Sequence, residues 1–240
     1  TANNQVFGAG PSMGAARANH TATLLGDGRV LVVGGADGNA SLSSTELLNA
    51  AGTAFTAGPP LLGPRYSHTA TLLADGRVLV AGGYGAAGPL ATAQVFDPLA
   101  NTWSASIAMI SPRYDHGATL MPDGKVLITG AAQNAELFDP SLNTFANVAN
   151  AMQANRTGHV TTLLPDGRVL IAGGYGNGML TSAETFNGTN FTATPGVLPQ
   201  GFVDASVALL GNGKVLIAGG DRCSDGCETD VASLFDPANG

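Results

Sequence analysis

One pattern is written five times in this chain, and it constrains the fold more than any other feature. Its clearest copy is residues 65–83, RYSHTATLLADGRVLVAGG. Small and apolar residues alternate, an Asp-Gly turn follows, and a second apolar run ends in two glycines. Two strand-like runs joined by a turn that needs positive φ make a β-hairpin. Copies start at Arg17, Arg65, Arg113, Arg156 and, in altered form, at Phe202, so the spacings are 48, 48, 43 and 46 residues. A repeat of that length is one supersecondary unit whose apolar faces must be covered by neighbouring copies.

Each repeat extends to four strands. Strand one is the HTATLL-like run. Strand two reads RVLVVGG, RVLVAGG, KVLITGA, RVLIAGG and KVLIAGG. It follows turns at Asp27-Gly28, Asp75-Gly76, Asp123-Gly124, Asp166-Gly167 and Asn212-Gly213, which suit type I′ geometry. Strand three contains TELLN, AQVFDP, AELFDP, AETFN and ASLFDP. Strand four carries an aromatic (Phe55, Trp103, Phe145 or Phe191), and Phe7 holds the same position ahead of the first repeat. The chain therefore opens on the last strand of a repeat and stops after LFDPANG, where a fourth strand is due. The expected fold is all-β: a five-bladed β-propeller of four-stranded antiparallel blades, one domain over residues 1–240. Residues 1–7 are expected to complete the last blade and close the ring, which removes exposed strand edges.

These residues resemble kelch repeats of the bacterial type over essentially the whole chain. The family pattern is a double glycine ending strand two, an apolar or aromatic position in strand three, and Trp or Phe in strand four. It stands here as Gly34-Gly35, Gly82-Gly83, Gly173-Gly174 and Gly219-Gly220, while the third repeat departs with Gly130-Ala131. The resemblance implies a binding face at the mouth of the central channel. In kelch domains, arginines just before the innermost strand and residues after the glycines line a pocket for acidic peptides. That makes Arg17, Arg65, Arg113 and Arg156, with Phe202 at the fifth copy, ligand-binding candidates. Arginine suits carboxylates because its planar fork donates two parallel hydrogen bonds. A hydrogen bond between blades is the competing role for each arginine. It is the preferred role for His20, His68, His116 and His159, three residues further on.

The loops from strand two to three and from strand four to one share one face, and the Asp-Gly turns lie on the other. The turns are near-identical, each followed by Arg or Lys, and read as scaffold. The two-to-three loops vary: ADGNASLSST, YGAAGPLATA, the short AQNA, YGNGMLTSA and DRCSDGCETDVA. Function concentrates in variable loops on a rigid frame. Tyr66 and Tyr114 follow their arginines, and Tyr84 and Tyr175 follow their glycine pairs, so all four tyrosines fall on this face and join the candidates. Asp115 and Asp204 join them, just before the His position. The short third loop is expected to leave a notch in the rim.

Composition narrows the function classes. The net charge is −7 with only two lysines, which argues against nucleic-acid and anionic-membrane binding. No apolar run reaches the roughly 18 residues of a membrane span. The start at Thr1 rather than Met implies a processed or excised form. Cys223 and Cys227 share one loop; a disulfide there implies an oxidising compartment, extracellular or periplasmic, while free thiols or half a metal site are the alternatives. The same loop partly imitates a calcium site through Asp221 and Asp225, but position twelve is Ala232, so the bidentate Glu is missing.

Enzyme readings find little support. A copper radical oxidase with kelch-like blades needs a Tyr cross-linked to Cys, a further Tyr and two His ligands; here the cysteines share one late loop and the histidines recur in the blades. A glycosidase needs paired carboxylates, and only Asp115 and Asp204 lie at the inner strands. No serine elbow, HExxH or P-loop is present. The expectation is a non-catalytic binding module for a protein, peptide or glycan, monomeric, without a cofactor or resident metal, and able to form part of a larger protein. The alternative is a propeller enzyme, glycosidase-like or oxidase-like, with its site at the channel mouth.

Overall fold

The computed structural model describes residues 8–221 and 229–239, which form antiparallel sheets arranged as a five-bladed β-propeller. The innermost strands are Thr21–Leu24, Thr69–Leu72, Gly117–Leu120, Val160–Leu163 and Ser206–Leu209. Each pairs with a buried second strand: Val30–Val33, Val78–Ala81, Val126–Thr129, Val169–Ala172 or Val215–Ala218. Third strands follow at Thr45–Leu48, Gly88–Asp97, Glu136–Asp139, Ala183–Phe186 and Ala232–Phe235. Blades 1 to 4 add outer strands containing Phe55, Trp103, Phe145 and Phe191. The fourth strand of blade 5, expected at residues 1–7, lies outside the described residues. No helix of the described residues is long and apolar enough to cross a membrane.

Second strands are continuous apolar runs because each is covered on both faces by a neighbouring blade. Four buried clusters fill the four junctions between consecutive blades. The aromatics of strands three and four pair across the ladder: Phe96 with Trp103 at 5.1 Å, Phe138 with Phe145 at 5.0 Å and Phe186 with Phe191 at 4.7 Å between ring centroids. Phe96, Phe138 and Phe186 have no exposed surface, so these pairs anchor blades 2, 3 and 4 at their base.

The hairpin turns correct the type I′ expectation. Only the glycine of each pair has positive φ: 86° at Gly28 and Gly76, 83° at Gly124, 87° at Gly167 and 82° at Gly213. Gly28 N donates to Leu25 O at 3.1 Å, and Leu25 N to Arg29 O at 2.8 Å. That is a type I turn followed by a left-handed glycine. Pro122 and Pro165 occupy its second position, where proline's fixed φ fits. The aspartate has another task. Asp27 accepts Arg29 N at 3.0 Å and Nε at 2.7 Å, and Arg29 Nη2 then reaches Pro98 O of the next blade at 2.8 Å. Arg77 and Arg168 repeat the staple to Pro140 and Pro237.

The channel end of each junction is fixed by a repeated bond set. Gly35 N donates to Arg65 O, Gly83 N to Arg113 O, Ala131 N to Arg156 O and Gly174 N to Phe202 O, at 2.7–2.9 Å. A β-carbon on Gly82 would sit 2.5 Å from Arg113 O, so the first glycine of the pair is there for the close approach of the next blade. At the seam between blades 5 and 1 no corresponding bond is made among the described residues. A β-carbon on Gly219 would meet nothing within 4 Å among the described residues, and Leu24 and Leu234 are 63% and 56% exposed.

Candidate functional site

The arginines before the inner strands are scaffold, which corrects their candidacy as ligand groups. Arg65, Arg113 and Arg156 are 3%, 0% and 1% exposed, and the Arg17 side chain is fully covered. Each guanidinium closes its own blade. Arg17 Nη1 donates to Gly34 O at 2.7 Å and Ser44 O at 3.1 Å, joining the end of strand two to the start of strand three. Arg65, Arg113 and Arg156 bond Gly82 O, Gly130 O and Gly173 O in the same way. A carboxylate on strand three completes the clamp: Glu46 with Arg17 at 2.6 Å, Glu136 with Arg113 and Glu184 with Arg156 at 2.9 Å. Blade 2 substitutes Gln94, whose amide accepts Leu62 N and donates to Ser104 O; there burial pulls Arg65 down to about 10, still charged at neutral pH. Blade 5 drops both partners. Phe202, 4% exposed, packs into the junction core, and Ser233 stands at the glutamate position.

The histidines join blades as expected, through threonine side chains. His68 Nε2 meets Thr21 Oγ1 at 2.9 Å, His116 meets Thr69 at 2.8 Å, and His159 meets Thr129 at 2.9 Å. Their Nδ1 atoms are buried and unpartnered. An orphaned N–H costs more than an orphaned lone pair, so we place the proton on Nε2, donating to threonine. Burial, and then the neighbouring arginine's charge, hold all three down to about 3. They are neutral structural groups.

The residue before each histidine position builds a collar around the channel that the sequence reading missed. Ser67 N donates to Asn19 O, Asp115 N to Ser67 O, Gly158 N to Asp115 O and Asp204 N to Gly158 O. All five residues have positive φ, between 45° and 61°. Asn, Asp and Gly tolerate that conformation, so Asp115 and Asp204 have a backbone reason to be where they are. Their carboxylates nevertheless share a cleft of about 310 Å³ with Asp221, Thr157 and Tyr175. Burial, followed by the charges of Asp115 and Asp221, pushes the Asp204 carboxyl up from its ordinary value.

The tyrosines gather on the same face. Short bridges pair Tyr66 with Tyr84, Thr157 with Tyr175 and Val203 with Asp221, which ties each four-to-one loop to its two-to-three loop. The Tyr66 and Tyr84 rings lie 5.6 Å apart, and Tyr84 and Tyr114 meet edge-on at 5.5 Å. Tyr175 stands apart, 47% exposed. Blade 3 has no such bridge among the described residues. A β-carbon on Gly83 would lie 2.7 Å from the bridging Tyr66 O; without that carbonyl overhead, Ala131 adopts φ 58° in the equivalent place. The short loop opens a cleft of about 560 Å³ between blades 3 and 4, lined by Tyr114, Gln133, Gln153, Asn155, Tyr175 and Asn177 among others. An apolar groove of about 440 Å³ runs along Ala232–Phe235, lined also by Leu170, Ala172 and Ile217.

Cationic groups are spoken for. Among the described residues, Arg17, Arg113, Arg156, Arg29, Arg77, Arg168, Lys125 and Lys214 all make ion pairs, and Arg65 is buried on carbonyls. Cys223, Cys227 and Asp225 lie outside the described residues.

Comparison with known proteins agrees with this architecture. A family model described as the kelch motif matches residues 65–105, which is the end of one repeat's approach segment through its outer strand. No curated protein sequence matches. A solved structure described as a novel fungal alcohol oxidase with catalytic diversity among the AA5 family, in complex with copper, superposes with a TM-score of 0.76 at 20% identity. The match covers 92% of this chain and 51% of that one, so the chain spans about half the neighbour's length. At that identity the likeness concerns the fold. The described residues do not suit a copper centre. His68, His116 and His159 spend Nε2 on threonines deep between blades, and among the described residues no three His, Cys, Asp or Glu side chains converge as a metal ion requires. Four made junctions, five copies of one blade and the motif match agree: the chain is a five-bladed β-propeller that carries a kelch motif at residues 65–105, consistent with a kelch-repeat propeller.

Proposed function

We propose that this propeller is a non-catalytic binding module, and that its ligand face is the rim around the Tyr66–Tyr84–Tyr114 cluster and Tyr175. One observation carries the reading: the repeated polar residues are consumed inside the blades, whereas the tyrosines and the blade 3 notch are presented where the repeat breaks. A rigid aromatic cluster on a rigid frame offers contact area at low entropic cost. An extracellular or periplasmic setting belongs to the same proposal, resting on the Cys223 and Cys227 spacing. The test is a screen of the immobilised chain against peptide and glycan panels, repeated with Tyr84→Ala and Tyr175→Ala. Binding lost in the variants at unchanged melting temperature supports the rim; binding that survives both removes it.

A second reading has one specific support. Asp115, Asp204 and Asp221 share a cleft, and Asp204 is raised, as a general acid would need. Turnover of an oligosaccharide that stops in Asp204→Asn would establish an enzyme and displace the binding-module reading.

A further inference from the structure

We propose that the cleft between blades 3 and 4 binds an uncharged oligosaccharide, with Tyr175 as its exposed stacking surface. This deepens the binding-module reading and rests on it. The chemistry of the lining makes the argument. Gln133, Gln153, Asn155 and Asn177 present four side-chain amides, and none of these amide groups has a hydrogen-bond partner within the described protein. Gln94, by contrast, is spent inside its blade on Leu62 N and Ser104 O. An amide offers two donors and an acceptor in one plane, the pattern needed by neighbouring hydroxyls that both give and take protons. Tyr114 is held in place by its edge contact with Tyr84, and Tyr175 adds a second wall with much of its surface exposed. Aromatic walls with a few placed polar groups suit the apolar face and hydroxyl edge of a pyranose ring.

Charge argues against anionic competitors. No ionisable carboxylate or cation lines this cleft, and the described cations are all committed elsewhere. An acidic peptide or a polyanionic glycan would meet no compensating charge in a chain of net charge −7. The neighbouring cleft shares Thr157 and Tyr175 and carries Asp115, Asp204 and Asp221. A chain of sugars leaving the amide cleft would pass Tyr175 and meet carboxylates, which accept hydroxyl protons. The site therefore fits an extended neutral oligosaccharide rather than a single sugar.

The experiment is affinity electrophoresis and titration calorimetry of the whole chain. The probes are neutral polysaccharides (β-glucan, xylan, galactan, mannan), a polygalacturonate and a panel of acidic and neutral peptides. The expected result is binding to at least one neutral polysaccharide. Affinity should fall at least about tenfold in Tyr175→Ala and Gln153→Ala and stay within about threefold in Tyr175→Phe, which keeps the ring, with melting temperatures unchanged. Failure of a folded chain to bind any neutral polysaccharide overturns the inference. Peptide binding that depends on Tyr175 overturns the glycan while leaving the binding module intact. Release of shortened sugars with turnover overturns the module while leaving the glycan site standing.

Discussion

Acid should unfold this propeller well before its carboxylates protonate. His68, His116 and His159 are 6%, 7% and 9% exposed, and burial holds each near 3, against 6.5 for a free ring. The charge of neighbouring arginines adds to burial: Arg65 beside His68, Arg113 beside His116, and Arg156 and Arg113 beside His159. The native state refuses a proton that the unfolded chain accepts. Stability is therefore full above pH 6.5 and is lost as pH falls from 6.5 toward 3. Each ring contributes about 1.4 kcal/mol per pH unit inside that window. Three rings together cost about 4 kcal/mol between pH 7.5 and 5.5, a large part of the stability of an ordinary domain. The melting temperature should fall by about 10 °C across that interval. Asp27, Asp75 and Asp166, lowered by their paired arginines against some burial, act in the same direction but only below the 3.8 of a free carboxyl. Thermal unfolding by circular dichroism at pH 7.5, 6.5 and 5.5 measures the slope. His116→Gln keeps a donor for Thr69 without a titrating ring, so it should remove about a third of that slope. Titration of His68, His116 or His159 near 6.5 in the folded state by NMR, or a melting temperature flat from 7.5 to 5.5, would refute the reasoning.

Other substitutions separate scaffold terms. Glu184→Ala leaves Arg156 buried without its carboxylate and should cost about 3–5 kcal/mol in denaturant unfolding; Glu184→Gln should cost less than half as much, because blade 2 already runs on Gln94, and equal losses would contradict the clamp. Gly82→Ala and Gly219→Ala both place alanine at left-handed φ, 60° and 71°, a shared penalty of about 1–2 kcal/mol. Only the first drives a methyl into Arg113 O and His116, so Gly82→Ala should be worse by several kcal/mol; similar losses at the two positions would show that the contact between blades does not set the cost. Truncation of the buried junction ring in Phe202→Ala should cost about 3–5 kcal/mol, and calorimetric melting within a degree of the parent chain would remove Phe202 from the core.

The fold was legible because its signals are local and repeated. Glycine pairs, turn residues and strand aromatics each answer a constraint that recurs in every blade. The turn type was misread because Asp-Gly alone fits two geometries; Pro122 and Pro165, compatible with a type I turn's second position, held the distinguishing information. The arginine clamp was also in the sequence, as a pairing across repeats. Arg goes with Glu in blades 1, 3 and 4, with Gln in blade 2, and blade 5 loses both at Phe202 and Ser233. The collar was written as Asn19, Ser67, Asp115, Gly158 and Asp204, chiefly residue types that accept left-handed φ. What no periodicity reveals is which side chains stay unspent once the blades are packed, since that follows from distances between strands far apart in sequence.

That distinction sets where recognition can reside in a repeat protein of this kind. A residue repeated at every blade is under the same geometric demand at every blade, and here the demand is visible: a guanidinium closes a sheet, an imidazole joins two sheets, a left-handed backbone turns the chain around the channel. The guanidinium and imidazole groups that satisfy those demands are buried and out of a ligand's reach. Capacity remains where a repeat drops one member of the set. Blade 3 shortens its loop and loses the bridge above Ala131. The opened space exposes amides that no blade needs, beside a tyrosine that no blade buries. Blade 5 loses its arginine and histidine, and Asp204 remains on the collar facing Asp221 and Asp115 across the adjoining cleft. The two irregular blades flank blade 4, and Tyr175 of blade 4 lines both clefts. A ligand spanning them must cross that ring, so Tyr175 is the position at which loss of binding and retention of fold separate most cleanly.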